Sequence, residues 1–240
     1  MRDMKLLDPS CMHLPDITYA VQTLSRFATK PGLAHWGAVK CVFRYLKGTK
    51  DLWLSYGGQE KELVGYADAD GNMAEDRHAI SGYAFLLHRG AVSWTTKRQE
   101  IISPSTTESE YVAATYAARE PLWLRSLISQ LFKVMLKPTT LFSDNRSAIA
   151  LTKDHQYHVR TKHIDIRFHF IRWIVENGLL RFIYCPIDEM VADTLTKALP
   201  SPKSNILLTN SGSYRFEGEC RNTAKQIPTR ASCSHCDLFP

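Results

Sequence analysis

The spacing of hydrophobic residues in the first quarter of the chain predicts two helices. Hydrophobic residues recur at intervals of three or four on either side of the break "KPG": Ile17, Val21, Leu24, Phe27, Trp36, Val39, Phe43 and Leu46. This period places the apolar side chains of each segment on one face of a helix. Residues 1–60 are therefore predicted to form a helical segment, a hairpin, that precedes a second unit.

From residue 61 the pattern changes to that of strands. The segments "ELVGYAD", "SGYAFLLH" and "AVSWTT" are short, rich in aromatic and aliphatic residues, and separated by Gly or charged residues. They predict three adjacent strands. A helix is predicted from about Thr107 to Phe132, followed by a strand at Thr139 that runs into a helix from Asn145.

The remaining elements alternate between helix and strand. A long helix is predicted over about 161–176, "LLRFIYC" is a further strand, and "DEMVADTLTKAL" is the last helix. Strands first, and then strand and helix in alternation, indicate an α/β fold with a mixed five-stranded sheet flanked by helices. This domain is predicted to extend over residues 61–200, and the helical hairpin precedes it.

Residues 201–240 lose this regularity. They are rich in Ser, Asn, Thr and Pro and show no sustained hydrophobic period, so we expect this tail to be disordered. It contains the motif "CSHC", with Cys233 and Cys236 at a spacing found in zinc sites. A second complete pair at finger spacing is missing, and a zinc site is therefore not predicted.

The N-terminal sequence, the length of the apolar runs and the net charge limit the compartments and partners that we expect for the protein. The first 16 residues are interrupted by charges and prolines, unlike a secretory signal, and no apolar run reaches the roughly 18 residues of a membrane span. We therefore expect a cytoplasmic or nuclear protein that is not secreted, is not in a membrane and has reduced cysteines. The net charge of +6 is compatible with a polyanionic partner, although a solvated basic surface gives the same number.

Four acidic residues lie where ligands collect in α/β folds. Asp68 ends the first strand of the predicted sheet and Asp144 ends the fourth, whereas Glu110 lies early in a helix and Asp193 lies in the last helix. Several separate elements would thus bring carboxylates to one end of one sheet. Divalent ions such as Mg²⁺ bind oxygen ligands of this kind, and clustered carboxylates otherwise repel one another.

Each acidic residue also has an ordinary structural interpretation. Asp68 and its neighbour Asp70 are suited to a turn, Glu110 fits a capping box with Thr107, and Asp144 is a favoured residue for a helix N-cap. Asp193 fits a solvated helix face. The residues alone leave these alternatives open.

A series of motifs in this order resembles a known family. They are "LVGYADAD", "ISGYAFLL", "GAVSWTTKRQ", "STTESEYVAA", "REPLWLRSL", "LFSDNRSAIAL", "RTKHIDIRFHFIR" and "ADTLTKALP". Together they closely resemble the ribonuclease H domain at the end of the polyprotein of copia-type LTR retrotransposons, over about Leu63 to Pro200. The segment from Leu14 to Asp51 resembles the tail of the reverse transcriptase, which lies just upstream in those polyproteins.

The resemblance implies a function and a set of site residues. Matched residue by residue, the catalytic carboxylates and ligands of two Mg²⁺ or Mn²⁺ ions fall on Asp68, Glu110, Asp144 and Asp193. The implied reaction is metal-dependent cleavage of the RNA strand of an RNA–DNA hybrid. The implied partners are the hybrid and reverse transcriptase parts of the same element. Family spacing favours Asp68 over Asp70.

Some positions depart from the family pattern. Gly71 stands where the family usually has Trp, and Pro104 where it usually has an aliphatic residue. The segment before the last helix lacks the His-bearing loop of many ribonucleases H. The alternative is a catalytically inactive retroelement remnant that keeps the fold and weak nucleic-acid binding, and the chain is expected to be a fragment of such an element.

Overall fold

The computed structural model describes residues 14–57, 62–71, 78–133, 137–153, 165–200 and 213–215. The helices in chain order are α1 (Thr18–Ser25), α2 (Leu33–Gly48), α3 (Thr106–Phe132), α4 (Arg146–Lys153), α5 (Asp165–Glu176) and α6 (Asp193–Thr196). The strands are β1 (Leu52–Leu54), β2 (Val64–Asp70), β3 (Ile80–Leu87), β4 (Gly90–Arg98), β5 (Thr139–Ser143), β6 (Leu180–Tyr184) and β7 (Ser213–Arg215). No helix in these ranges is both long and apolar enough to cross a membrane.

The first two helices pack through a small apolar core. Its buried residues are Ile17, Val21, Leu24, Ala38, Val39 and Val42. Phe27 and Phe43, which the sequence pattern assigned to the same apolar faces, are exposed instead. Phe27 lies beyond the end of α1 and stacks on His35, with 4.1 Å between ring centroids. Phe43 follows the buried Val42 by one helical position, about 100° around the axis.

The predicted mixed five-stranded sheet is confirmed. Its strand order is β4-β3-β2-β5-β6. β2 and β3 pair antiparallel, as do β3 and β4, whereas β5 runs parallel to both β2 and β6. The parallel pairing of β2 with β5 is the feature that matters for the site, because it brings the carboxyl ends of these two strands to the same edge.

Helices cover both faces of this sheet. Phe85 of β3 packs with Tyr111 of α3 and Ile171 of α5 in the largest buried cluster. The neighbouring residue, Ala84, packs with Leu195 of α6 in a separate cluster. Successive side chains of a strand point to opposite faces, so α3 and α5 lie on one face of the sheet and α6 lies on the other.

The last helix is much shorter than predicted. The sequence pattern placed a helix over "DEMVADTLTKAL", but α6 has four residues and Lys197 already has an extended backbone. A contact with a residue far away in the sequence explains why α6 ends here. The Thr96 hydroxyl donates to the Leu195 carbonyl at 2.7 Å, which occupies a carbonyl that a continuing helix would use.

A second sheet was not predicted at all. β1 and β7 pair antiparallel, with Leu52 opposite Arg215. For residues 213–215 this strand replaces the disorder that we expected for the tail. The rest of residues 201–240, including the "CSHC" motif, lies outside the described residues, as does the predicted helix start at 161–164.

Gly82 allows α6 to lie close against β3. A Cβ at this position would stand 2.7 Å from Thr196 Cγ2 and 2.9 Å from Leu195 Cβ. We therefore expect Gly82→Ala to lower the free energy of unfolding by about 1–3 kcal/mol, as overpacking typically does. Denaturant titration measures this. Gly48→Ala is the matched control, because a Cβ there would meet no described atom within 4 Å. Equal stability of the two variants would contradict the close packing of α6.

Candidate metal centre

Three of the four predicted carboxylates meet at one edge of the sheet. Asp68 lies near the carboxyl end of β2, Asp144 directly follows β5, and Glu110 lies in the second turn of α3. One carboxylate oxygen from each residue lies within 4.8 Å of the other two. Asp68 is 1% exposed and Glu110 is 7% exposed. The fold thus concentrates three acidic groups in a site that is largely shielded from water.

The helix caps are made by other residues than these three. Asn145 caps α4, because its Oδ1 accepts a hydrogen bond from the Ala148 N–H at 3.0 Å. Ser105 caps α3 and accepts a hydrogen bond from the Glu108 N–H at 3.2 Å. The capping alternatives for Asp144 and Glu110 are therefore satisfied by neighbouring residues. The positions of these two carboxylates need another explanation.

The electrostatics of the site favour a bound cation. Burial raises the pKa of Asp68 to about 6; Lys197 opposes this shift, while Asp193 and Asp144 add to it. Burial, with the added repulsion of Asp68 and Asp144, raises the pKa of Glu110 to about 10. Such shifts mean that these carboxylates carry their charge at a high energetic cost. A divalent cation would lower that cost.

The donor set fits a hard divalent ion. All three groups offer carboxylate oxygens, the ligand type that Mg²⁺ and Mn²⁺ prefer. In addition, Glu110 Oε2 is buried and has no hydrogen-bond partner among the described residues. A buried polar atom of this kind calls for an explanation, and ligation of an ion provides one. Asp68, Glu110 and Asp144 can therefore hold a metal.

The fourth predicted residue, Asp193, lies beside this group rather than within it. Its side chain is 0% exposed, so the solvated-face interpretation is wrong. Its Oδ1 is 2.8 Å from the Lys197 ammonium, which is also 3.8 Å from Oδ2 of Asp68. The assignment of Asp193 as a metal ligand stays a prediction.

Sequence reasoning missed two polar residues at the site, Thr196 and Lys197. The Thr196 hydroxyl donates a hydrogen bond to Oδ2 of Asp68 in the buried interior. Burial would lower the pKa of Lys197, but Asp68, Asp193 and Asp144 together raise it above its usual value. The spacing of Asp193 and Lys197, four residues apart, is a recognisable signal for an ion pair on a helix.

Gln99 is a third residue that sequence reasoning missed, and its hydrogen bonds hold together the elements around the site. Its side chain is 1% exposed, and its amide Nε2 donates to Ser81 Oγ at 2.9 Å and to the Ser109 carbonyl at 2.8 Å. It therefore ties the end of β4 to β3 and to the turn of α3 that precedes Glu110. A buried, fully bonded amide of this kind orients the backbone around it.

Comparisons with known proteins identify the relatives of the chain. No family model matches it. It is 44% identical to the retrovirus-related Pol polyprotein from transposon TNT 1-94 of Nicotiana tabacum, over 79% of this chain and 14% of that protein. It is 37% identical to the Pol polyprotein from transposon RE2 of Arabidopsis thaliana, over 77% of this chain and 13% of that protein. The chain thus spans a small part of these relatives.

Solved structures with some likeness include LC11-RNase H1 in complex with an RNA/DNA hybrid. That structure shares 17% identity and a TM-score of 0.41, and the alignment covers 56% of this chain and 94% of the other. The fold class of this chain rests on its own strand order and directions. On the strength of its sequence relatives, the chain belongs to the retrovirus-related Pol polyproteins of copia-type transposons.

Proposed function

We propose that residues 61–200 form a ribonuclease H that hydrolyses the RNA strand of RNA–DNA hybrids with two Mg²⁺ or Mn²⁺ ions. The observation that carries this proposal is the group formed by Asp68, Glu110 and Asp144, with one buried Glu110 oxygen that has no hydrogen bond to any described residue. Membership of the Pol polyprotein family supports the same assignment. In this proposal residues 1–60 are the end of a reverse transcriptase segment, and residues 201–240 are a separate tail.

The proposed roles follow from the chemistry of the side chains. Asp68, Glu110 and Asp144 would hold the metal, and Asp193 would extend the set to four carboxylates. Divalent ions at such a site activate water and stabilise the leaving oxygen of a phosphodiester. Glu110 would give up its proton when its carboxylate becomes a ligand, since ligands must be deprotonated. Thr196 would fix the orientation of Asp68 through its hydrogen bond.

The surface beside the site offers groups suited to a nucleic acid. The Arg146 guanidinium lies over the Tyr184 ring, 4.3 Å from its centroid, and both side chains are exposed. Arg146 is two residues from Asp144, and Tyr184 pairs with Ser143 at the end of β5. Arg binds phosphate through a planar fork of donors, and contacts of this kind position a nucleic acid without reading its sequence.

We therefore expect the purified protein to cut the RNA strand of a labelled RNA–DNA hybrid in the presence of Mg²⁺ or Mn²⁺. Addition of EDTA should stop this cleavage. Double-stranded DNA of the same sequence should resist, because recognition of RNA depends on helix shape and the 2′-hydroxyl. Gel analysis of end-labelled strands measures the cleavage of the hybrid and of the double-stranded DNA. A folded protein that cuts no hybrid with either ion would instead support the inactive remnant.

A further inference from the structure

Lys197 places a fixed positive charge among the carboxylates of the site. Its ammonium nitrogen is 2.8 Å from Asp193 Oδ1 and 3.8 Å from Asp68 Oδ2. Asp193 and Asp68 are both essentially inaccessible to solvent, and the Lys197 side chain itself is 29% exposed. Ion pairs shielded in this way are screened by salt much less than pairs at the surface.

The fold determines where this ammonium lies. Lys197 is the first residue after α6, and its backbone N–H donates to the Asp193 carbonyl at 3.2 Å. The neighbouring residue, Thr196, donates to the same Asp68 oxygen that Lys197 approaches. Gly82 allows this turn to sit against β3. The position of Lys197 is thus fixed by its own backbone hydrogen bond and by the hydrogen bond of the residue before it.

A positive charge in this position has opposite effects at two parts of the site. It stabilises the buried Asp193 and Asp68 carboxylates, which would otherwise repel each other. It also repels any divalent cation that uses these same two groups, because like charges a few ångströms apart in a shielded site interact strongly. Within the group formed by Asp68, Glu110 and Asp144, Lys197 makes an ion pair with Asp68, and its electrostatic interaction with Asp144 is weaker than that with Asp68.

We propose that Lys197 is a positioning residue that acts as an internal counter-cation: it orders Asp193 and Asp68, and it weakens the binding of the second metal ion, the one that would use this pair. The inference rests on the proposed two-metal function. It predicts that the two ions bind with unequal affinity, and that the weaker binding step is set by a lysine rather than by the number of carboxylates.

Lys197→Met tests this, because it keeps an unbranched side chain that is only one atom shorter and removes the charge. In Mn²⁺ titrations followed by electron paramagnetic resonance and calorimetry, we expect the weaker site to bind at least about 10-fold more tightly and the tighter site to change little. In EDTA the same variant should melt at a lower temperature, because the buried Asp193 loses its ion pair with Lys197. Mn²⁺ should restore more of the melting temperature than it does in the parent protein.

Three further variants make the result specific. Lys137→Met removes the same charge from an exposed ion pair with Glu62 and should leave both Mn²⁺ affinities unchanged. Lys197→Arg keeps the charge and should retain the weak second site. Lys197→Gln keeps a donor for Asp193 without the charge, and it replaces the Met variant if that protein does not fold.

The outcomes separate this inference from the proposed function. Unchanged Mn²⁺ affinities in the Met and Gln variants, with a lower melting temperature alone, would reduce Lys197 to a structural role and overturn the inference. Weaker Mn²⁺ binding in those variants would also overturn it. Tighter Mn²⁺ binding without hybrid cleavage in any variant would support the role of Lys197 and count against the nuclease activity only.

Discussion

Asp144→Asn is expected to lower the rate of hybrid cleavage by more than about 100-fold, the upper range for losing a residue that only supports a metal ligand. The change keeps the size of the side chain and removes the charge that would hold the ion. The fold should survive, because the cap of α4 comes from Asn145. Initial cleavage rates at saturating Mg²⁺, together with circular dichroism, measure both effects.

Asn145→Ala is the control for this substitution. It removes the cap one residue away and should cost about 1 kcal/mol of stability, while cleavage at a temperature well below unfolding stays near the parent rate. Cleavage by the Asp144→Asn protein at the parent rate would show that Asp144 is not a ligand. A loss of activity in both variants would point to the helix rather than to the carboxylate.

The second large effect is on the pH dependence of stability. Without a divalent ion the folded protein holds a proton on Glu110 up to a pKa of about 10, whereas the ordinary value is 4.5. Between these limits the folded state binds more protons than the unfolded state, so the stabilisation that comes from this proton is fully present below pH 4.5 and is lost as pH rises towards 10. One proton corresponds to about 1.4 kcal/mol per pH unit. Asp68, with its raised pKa of about 6, adds to the fall between about pH 4 and 6.

Melting curves in EDTA from pH 5 to 9 measure this slope. Glu110→Gln has no proton to lose and should remove most of the slope above pH 6, with a higher melting temperature than the parent at pH 8. Mg²⁺ should stabilise the parent most at high pH, where the carboxylates are charged and the ion binds the folded state. A parent protein whose melting temperature in EDTA rises from pH 5 to 8 would contradict the buried, protonated Glu110.

The sequence predicted the sheet, and it predicted that carboxylates would meet at one end of it, because both expectations depend on strongly patterned elements. Strand ends are visible from the change of period, and parallel neighbours such as β2 and β5 bring their ends together. The residue pattern alone did not distinguish Asp144 as a cap from Asp144 as a ligand, and only the family resemblance favoured the ligand. Asn145 is an equally good cap by residue type, and only the geometry shows that it makes the hydrogen bond.

The end of the sheet domain was predicted less well for a different physical reason. The apolar pattern over 188–199 fits a helix, but the Thr96 hydroxyl and the buried Asp68 carboxylate bind the chain at Leu195 and Thr196. These contacts come from residues far away in sequence, and local patterns do not include them. The position of Lys197 depends on this early helix end, so its role was hidden as well.

The hydrogen bond between Thr196 and Asp68 joins residues 128 positions apart, and this separation gives the site an order of assembly during translation. A nascent chain that already contains Asp68, Glu110 and Asp144 still lacks Asp193, Thr196 and Lys197. At about 5–20 residues per second, the ribosome needs on the order of seconds to add them. A growing polypeptide would therefore carry an incomplete acidic site, and under the proposed function cleavage of nearby hybrids would be delayed until this part of the chain had been released and folded.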